Sequence, residues 1–177
     1  DVDCIMVTMA ENFDVADRGS FYDAVGTLRD VVQNHLLQVV GLIAMEAPVE
    51  TLTQPRIDLF KTIPSAEPTS VVRGQYDGYL DVDGVAKDST TETFVALKLQ
   101  INSLRWGGVP VFIRAGKQMP VTATEVVVRL RHSAGVFMGE LRSQNKYEDI
   151  ILRVGDDPGI SLSMKVKSPQ DNAIEPV

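Results

Sequence analysis

Several residue types that carry common chemistries are scarce in this sequence. Cysteine occurs once, at Cys4, so no disulfide can form within the chain. Histidine occurs 2 times, and two histidines with one thiol give little support to a metal site. Lysine and arginine total 17 against 24 acidic residues, which argues against a nucleic-acid backbone or an anionic membrane surface as the partner. We therefore expect no metal, no nucleic acid and no membrane.

Long apolar runs and glycine-rich nucleotide turns are also missing. No stretch of about 18 apolar residues occurs, so the sequence carries no signal for a membrane-spanning helix. No G-x-G-x-x-G turn occurs, so the fingerprint of a Rossmann domain is absent. Together with the lone thiol, these absences favour a soluble protein in a reducing compartment, and we expect the cytoplasm.

The length of the chain and its two ends indicate one domain of a longer protein. With 177 residues, 44% of them hydrophobic, the chain can bury one sizeable core. It begins almost directly inside an apolar run, DCIMVTM at 3–9, and it stops at SPQDNAIEPV without a capping element. We therefore expect residues 1–177 to form a single, incomplete domain.

Hydrophobic periodicity predicts a strand, then a long helix, then a run of strands. Residues 3–9 are apolar on both alternating faces, as in a central strand, and a helical pattern runs from Asp23 to about Met45, stopped by Pro48. A short connector helix is predicted at 54–63, and strand candidates follow at 69–76, 92–101, 109–115, 125–132, 147–154 and 159–168. With no helix between these strands, the pattern indicates an α+β fold: a large, mostly antiparallel sheet with one long buried helix packed on a face.

The long helix has two different faces. At about 100° per residue, its apolar stripe consists of Val25, Leu28, Val32, Leu36, Val39 and Ile43. Asp30 and Asn34 lie on an opposing polar seam in the first half. The second half is apolar nearly all round and is predicted to be deeply buried. We therefore expect the helix to begin at a polar site and to end in a core.

His35, beside the polar seam, admits two interpretations. It can be a core histidine that hydrogen-bonds its neighbours, or a general base, because a neutral imidazole can take a proton from a hydroxyl. Asp30 is five residues earlier, and on an α-helix the two side chains point roughly 140° apart. Asp30 is thus not expected to orient His35, although both could contact one ligand. The helical wheel leaves the two interpretations of His35 open.

Charged residues stand where two of the strands are predicted to end. Glu11 follows the first strand and is either a solvated carboxylate or an acceptor for sugar-like hydroxyls. Arg114 and Lys117 flank a glycine in RAGK and form either a basic turn or a phosphate or hydroxyl contact. The motif is not a P-loop, because Val111 and Gln118 stand where that motif needs glycine and a hydroxyl residue.

Four longer stretches follow one another in a specific order. They are RGSFYDAVGTLRDVVQNHLLQVVGLIAMEAP at 18–48, VRGQY at 72–76, TETFVALKLQINSLRWGGVPVFIRAGKQM at 91–119 and IILRV at 150–154. In sequence, order and spacing they resemble the C-terminal, β+α part of glucose-6-phosphate dehydrogenase. The resemblance implies oxidation of β-D-glucose 6-phosphate at C1 to the 6-phosphoglucono-lactone, with hydride transfer to NADP⁺, as part of the pentose phosphate pathway.

The resemblance also implies roles for individual residues. His35 would be the general base that removes the C1 hydroxyl proton. Glu11 and Asp30 would hold sugar hydroxyls, and Lys117 would contact the sugar phosphate. This sheet would also supply the interface of a homodimer or tetramer.

Other parts of the family's machinery have no counterpart in this sequence. NADP⁺ would be bound mainly by an N-terminal Rossmann domain that is absent here, so no cofactor-binding residue is assigned. Also absent is the DHYLGKE-type segment, whose carboxylate would orient the histidine. We therefore expect this chain to be inactive alone.

Two positions depart from the family pattern at the phosphate. Thr122 stands five residues beyond Lys117, where many members have a basic residue, and Gly155 stands where many have glutamine. These departures would permit an alternative, a non-catalytic paralogue or dimerisation module that has lost substrate binding. A free-standing sugar-phosphate binding domain is a third hypothesis.

A second, structural NADP⁺ site occurs in some family members. Arg114 and Arg153 match part of its basic set, but Ala123 and Val127 replace other members of that set. We therefore expect no such site in this chain.

Overall fold

The structure, a computed structural model, describes residues 1–46, 51–131, 147–163, 165–167 and 174–176. Pro48, predicted to stop the helix, lies outside the described residues, as do positions 132, 164 and 168 of the predicted strands. In the described part of the chain, no helix is long and apolar enough to cross a membrane.

One mixed sheet dominates the described residues. Its strands are β1 (Val2–Ala10), β2 (Val71–Gly74), β3 (Phe94–Leu99), β4 (Val111–Gly116), β5 (Ala123–Arg131), β6 (Tyr147–Arg153) and β7 (Gly159–Leu162). They lie in the order β2-β3-β4-β1-β5-β6-β7. β1 is parallel to β4, and the other neighbouring pairs are antiparallel. The α+β fold and the central position of the first strand are therefore confirmed.

The last predicted strand, 159–168, is wrong as a single element. Its first part is β7, whereas its second part is β8 (Lys165–Lys167), which pairs with β9 (Ile174–Pro176) in a separate two-stranded sheet. Alternation alone could not reveal this, because both short strands share one period of two residues.

The long predicted helix is present but divided. α1 (Gly19–Thr27) is followed by a π-helix (Leu28–Leu36) and by α2 (Leu37–Ala44). Gly26 breaks the helical path with φ 66° and ψ 175°, a conformation that glycine adopts without steric penalty. The predicted connector is α3 (Thr53–Lys61), and short 3₁₀ turns occur at Ala16–Arg18, Pro68–Ser70 and Tyr79–Asp81.

The π-helix changes which side chains face the sheet. Its backbone bonds join residue i to i+5, so the 100° wheel of an α-helix does not describe it. Val32 and Leu36 are buried as predicted. Leu42 is 49% exposed, so the second half of the helix is not buried on all sides, contrary to the prediction. The rest of the predicted stripe is only half-buried, and further buried side chains are Val31, Val40 and Ala44.

The main core lies between this helix and one face of the sheet. Val31, Leu36 and Val40 pack with buried residues of the central strands, among them Ile5, Val7, Val95, Ile113 and Ala115. Each buried valine, leucine or isoleucine among them contributes about 1.5–3 kcal/mol relative to exposure. The indole N–H of Trp106 donates to the carbonyl oxygen of Ala44 at 2.7 Å and fixes the end of α2. The helix is thereby held against the sheet at its far end.

Candidate active site

The parallel pair β1 and β4 places two predicted site residues together. Ala10 lies opposite Gly116 in the ladder, so both strands end at the same edge of the sheet. Beyond them, the amide of Glu11 donates to the Gly116 carbonyl at 3.0 Å, and the amide of Met119 donates to the Glu11 carbonyl at 2.9 Å. Backbone hydrogen bonds therefore hold the two strand ends together.

Glu11 and Lys117 form a largely buried ion pair at this edge. Lys117 Nζ lies 2.8 Å from Glu11 Oε2, and the side chains are 8% and 15% exposed. The ammonium also lies 4.6 Å from the ring centroid of Phe13 and 5.9 Å from that of Tyr22. Aromatic faces stabilise a desolvated cation, and the carboxylate neutralises its charge. The pair presents a donor and an acceptor side by side.

Tyr22 connects this pair to the long helix. The Tyr22 and Thr27 hydroxyls are hydrogen-bonded at 2.7 Å, and the Thr27 hydroxyl also lies 3.1 Å from the Glu92 carbonyl, to which it can donate. Burial raises the pKa of Tyr22 to about 12, its bond to Thr27 opposes that rise, and the charges of Asp30, Glu11 and Glu92 add to it. The carboxylate of Asp30 thus lies within electrostatic reach of the same ring that faces Lys117.

His35 is exposed on the outer surface of the π-helix. The interpretation of His35 as a buried core histidine is therefore wrong. Asn34 Nδ2 lies 3.4 Å from His35 Nε2, a long contact that keeps the ring close to the helix. The imidazole is accessible to a ligand or to another part of the protein.

The π-helix also corrects the predicted angle between Asp30 and His35. In an i to i+5 helix, residues five apart return to roughly the same face, one turn along, whereas the α-helical wheel separated them by roughly 140°. Asp30 is half-buried, whereas His35 is exposed. Among the described residues, no hydrogen bond joins the two side chains.

The remaining basic and polar predictions occupy other places. Arg114 is exposed on the outer face of the sheet, in a groove that also contains Thr8 and Glu125, because strand alternation turns it away from Lys117. The two cations of RAGK therefore do not share one basic turn, and the alternative, a phosphate or hydroxyl contact, stays a prediction. Thr122 is exposed, where its hydroxyl donates to Asn12 Oδ1 at 2.7 Å and accepts from the Asn12 amide at 3.0 Å.

The other two positions singled out in the sequence lie near β6 and β7. Gly155 adopts φ 129° in the turn after β6. The Arg153 guanidinium donates to the Ser161 hydroxyl at 3.2 Å.

The described residues do not fit a dinucleotide or a metal ion. The sequence has no glycine-rich turn that would cradle a pyrophosphate. In the part of the chain with described positions, no three His, Cys, Asp or Glu side chains are grouped as metal ligands. No step through either group is therefore derived from this chain.

A family comparison agrees with the fold. The model of the glucose-6-phosphate dehydrogenase C-terminal domain matches residues 1–177. The chain belongs to this family.

Glucose-6-phosphate dehydrogenases from several bacteria are similar to the chain. It is 49% identical over 164 residues to glucose-6-phosphate 1-dehydrogenase 1 of Mycobacterium tuberculosis, covering 90% of this chain and 35% of that protein. It is 36% identical to the enzyme of Aggregatibacter actinomycetemcomitans, covering 95% of this chain and 37% of that protein. The chain thus spans about a third of the length of these relatives.

Solved structures of family members have the same fold. The structure of glucose-6-phosphate 1-dehydrogenase from Mycobacterium avium superposes with a TM-score of 0.91 at 48% identity, over 99% of this chain and 40% of that one. The structure of a glucose-6-phosphate dehydrogenase in complex with its substrate glucose-6-phosphate superposes with a TM-score of 0.89 at 30% identity, over 99% of this chain and 38% of that one.

Sequence reasoning about this member of the glucose-6-phosphate dehydrogenase family missed three residues. Phe13 and Tyr22 line the ammonium, and Glu92 bonds the start of the π-helix. Aromatic residues in a loop and an amphipathic helix carry no positional signal. Gly26 was the one available sign, since a glycine inside a helical pattern suggests a break or a close approach.

Proposed function

We propose that the protein containing this chain is an NADP-dependent glucose-6-phosphate dehydrogenase, and that this chain supplies the general base and part of the sugar pocket. The observation that carries the proposal is the 2.8 Å pair of Lys117 and Glu11, walled by Tyr22 at the strand ends. A matched donor and acceptor suit a ligand that has both anionic and hydroxyl groups.

The names of the relatives support the same substrate. The Mycobacterium tuberculosis relative is called glucose-6-phosphate 1-dehydrogenase 1, and one similar structure holds glucose-6-phosphate as its substrate. The chain retains Glu11, Asp30, His35 and Lys117, which are the residues with implied roles. A non-catalytic dimerisation module is therefore not favoured.

The proposed chemistry assigns one task to each retained side chain. His35 would accept the proton of the C1 hydroxyl, and NADP⁺, held by a part of the protein outside this chain, would supply the hydride acceptor that the oxidation of C1 to the lactone requires. Glu11 and Asp30 accept hydrogen bonds from sugar hydroxyls. Lys117 has three N–H donors, so one can serve Glu11 while another serves the sugar phosphate.

The test of this proposal compares two exposed residues of the π-helix in the full-length protein. We expect wild type to reduce NADP⁺ with glucose 6-phosphate, and His35→Ala to lower kcat by about 10²–10⁴-fold. Gln33→Ala, on the same helix, should leave kcat unchanged. An unchanged kcat in His35→Ala contradicts the general base. A wild type inactive toward every sugar phosphate tried supports the dimerisation module instead.

The proposal includes a homodimer or tetramer that forms through the sheet of a cytoplasmic enzyme. Its support is the outer face, where Phe112 and Val72 are exposed around a groove of about 470 Å³. Large exposed apolar patches are typical of association surfaces. Phe112→Asp in the full-length protein should shift the sedimentation coefficient toward the monomer, and an unchanged value contradicts this interface.

A further inference from the structure

Glu92, just before β3, is bonded to the start of the π-helix by both its backbone and its side chain. Its carbonyl accepts the Thr27 amide at 3.0 Å and the Thr27 hydroxyl at 3.1 Å. Its carboxylate oxygen Oε1 accepts the Leu28 amide at 2.9 Å. Three donors at the helix start therefore converge on one residue of another element.

The next residue, Thr93, holds the other half of the candidate site. Its carbonyl accepts the Lys117 amide at 2.9 Å, and its own amide donates to the Gly74 carbonyl at 2.9 Å. Thr93 is fully buried and begins the approach to β3. The dipeptide 92–93 thus fixes the helix that carries Asp30 and the turn that carries Lys117 to the same short piece of backbone.

The burial of the Glu92 carboxylate has a local electrostatic cause. Arg73 is the basic group beside it, but its guanidinium lies 3.9 Å away and its side chain is 59% exposed. The start of a helix has unpaired amides and a partial positive charge, and both favour a carboxylate. Thr27, the residue at the helix cap, makes no capping bond with its own side chain. Glu92 supplies that cap from a distant part of the sequence.

We propose that Glu92 is a positioning residue for the dehydrogenase reaction. It caps the π-helix and so sets where Asp30 and His35 stand relative to Lys117, and it does this without touching the sugar. The inference rests on the proposed function for its effect on catalysis. Its structural half, the cap of the Leu28 amide, stands on the bond itself.

The kinetic test uses two variants of the full-length protein, one that changes the length of the side chain at position 92 and one that changes its charge. Glu92→Gln keeps an oxygen at the same length, so kcat with glucose 6-phosphate should stay within about threefold of wild type. Glu92→Asp keeps the charge but is one methylene shorter, so kcat should fall by about 10- to 100-fold, as for a small misplacement of reacting groups. KM for NADP⁺ should change in neither variant. Glu67→Gln, at an exposed position, is the matched control.

The positioning role is overturned if Glu92→Asp has the same kcat as wild type. It is also overturned if Glu92→Asp and Glu92→Gln lose kcat by the same factor. The second measurement needs no activity: hydrogen exchange at the Leu28 amide should accelerate in Glu92→Asp and not in Glu92→Gln. Unchanged exchange in both variants overturns the cap. An inactive wild type with the expected exchange pattern contradicts the dehydrogenase proposal and leaves the cap standing.

Discussion

Lys117 Nζ meets Glu11 Oε2 at 2.8 Å where β4 and β1 end side by side, and both side chains are largely withdrawn from water. A buried pair of this kind stabilises a fold only while both partners are present, because either charge alone keeps its desolvation penalty. The pair therefore couples the stability of the strand ends to the chemistry of the candidate site.

Removing one partner of the pair should destabilise the protein. Lys117→Met leaves Glu11 partly buried without its cation, and we expect the free energy of unfolding to fall by about 3 kcal/mol. The combination of Lys117→Met with Glu11→Gln should lose clearly less than the sum of the two single changes. Urea unfolding of the full-length protein measures all three. Lys98→Met, at an exposed strand position, is the control, and strict additivity would falsify the coupling.

Gly26→Ala should destabilise the start of the π-helix. An added Cβ at Gly26 would lie 2.7 Å from Glu92 Oε1, and its φ of +66° is unfavourable for a residue with a side chain. Gly78 has φ +90° with nothing within 4 Å of an added Cβ, so Gly78→Ala measures the backbone strain alone. We expect Gly78→Ala to cost about 1 kcal/mol and Gly26→Ala to cost about 2–4 kcal/mol once Glu92 is displaced. Equal thermal shifts in the two variants would show that the Glu92 contact is unimportant.

Alkaline pH should weaken the fold through Tyr22. Burial raises its pKa to about 12, above the ordinary tyrosine value of 10.0, so the folded state keeps a proton that the unfolded state loses. The stabilisation is complete below the unfolded pKa and is lost as pH rises through the folded one. The free energy of unfolding of wild type should therefore decrease as the pH rises from the unfolded pKa to the folded pKa. Tyr22→Phe should fall less steeply over the same interval; an identical slope speaks against this origin.

Acid should weaken the attachment of the segment 79–91 to α1. Hydrogen bonds from Ser89, the Ala86 amide and Tyr79 hold the pKa of Asp23 below its usual range, with the Ser89 bond contributing most and partial burial opposing them. A lowered folded pKa means that this stability is present above the unfolded pKa and is lost as pH falls through the folded one.

The corresponding substitution is Asp23→Asn. It should lower the free energy of unfolding near neutral pH by about 1–2 kcal/mol, because charge-assisted hydrogen bonds become neutral ones. It should also reduce the acid dependence of unfolding. Asp17→Asn changes an exposed carboxylate in the same region and serves as the control. An unaltered acid dependence in Asp23→Asn would place its origin elsewhere.

All the strand predictions except 159–168 were accurate, because a strand's pattern is local. The first strand is apolar on both faces, which requires cover on both sides, and β1 is indeed central in the sheet. Glu11 and Lys117 could be predicted as strand-end residues for the same reason. That they touch could not be predicted, because it depends on β4 pairing in parallel with β1, which is a choice between distant segments.

The sequence by itself determined the α+β class and the central strand, since composition and periodicity are properties of neighbouring residues. Its resemblance to the family implied the roles of Glu11, Asp30, His35 and Lys117. The tertiary structure decided the rest. The α-helix gives way to a π-helix at Gly26 and at the cap from Glu92. The π-helical winding puts Asp30 and His35 on roughly one face, and His35 is exposed there. A helical wheel presumes one winding throughout, whereas here the winding changes at contacts with side chains that lie far away in the chain.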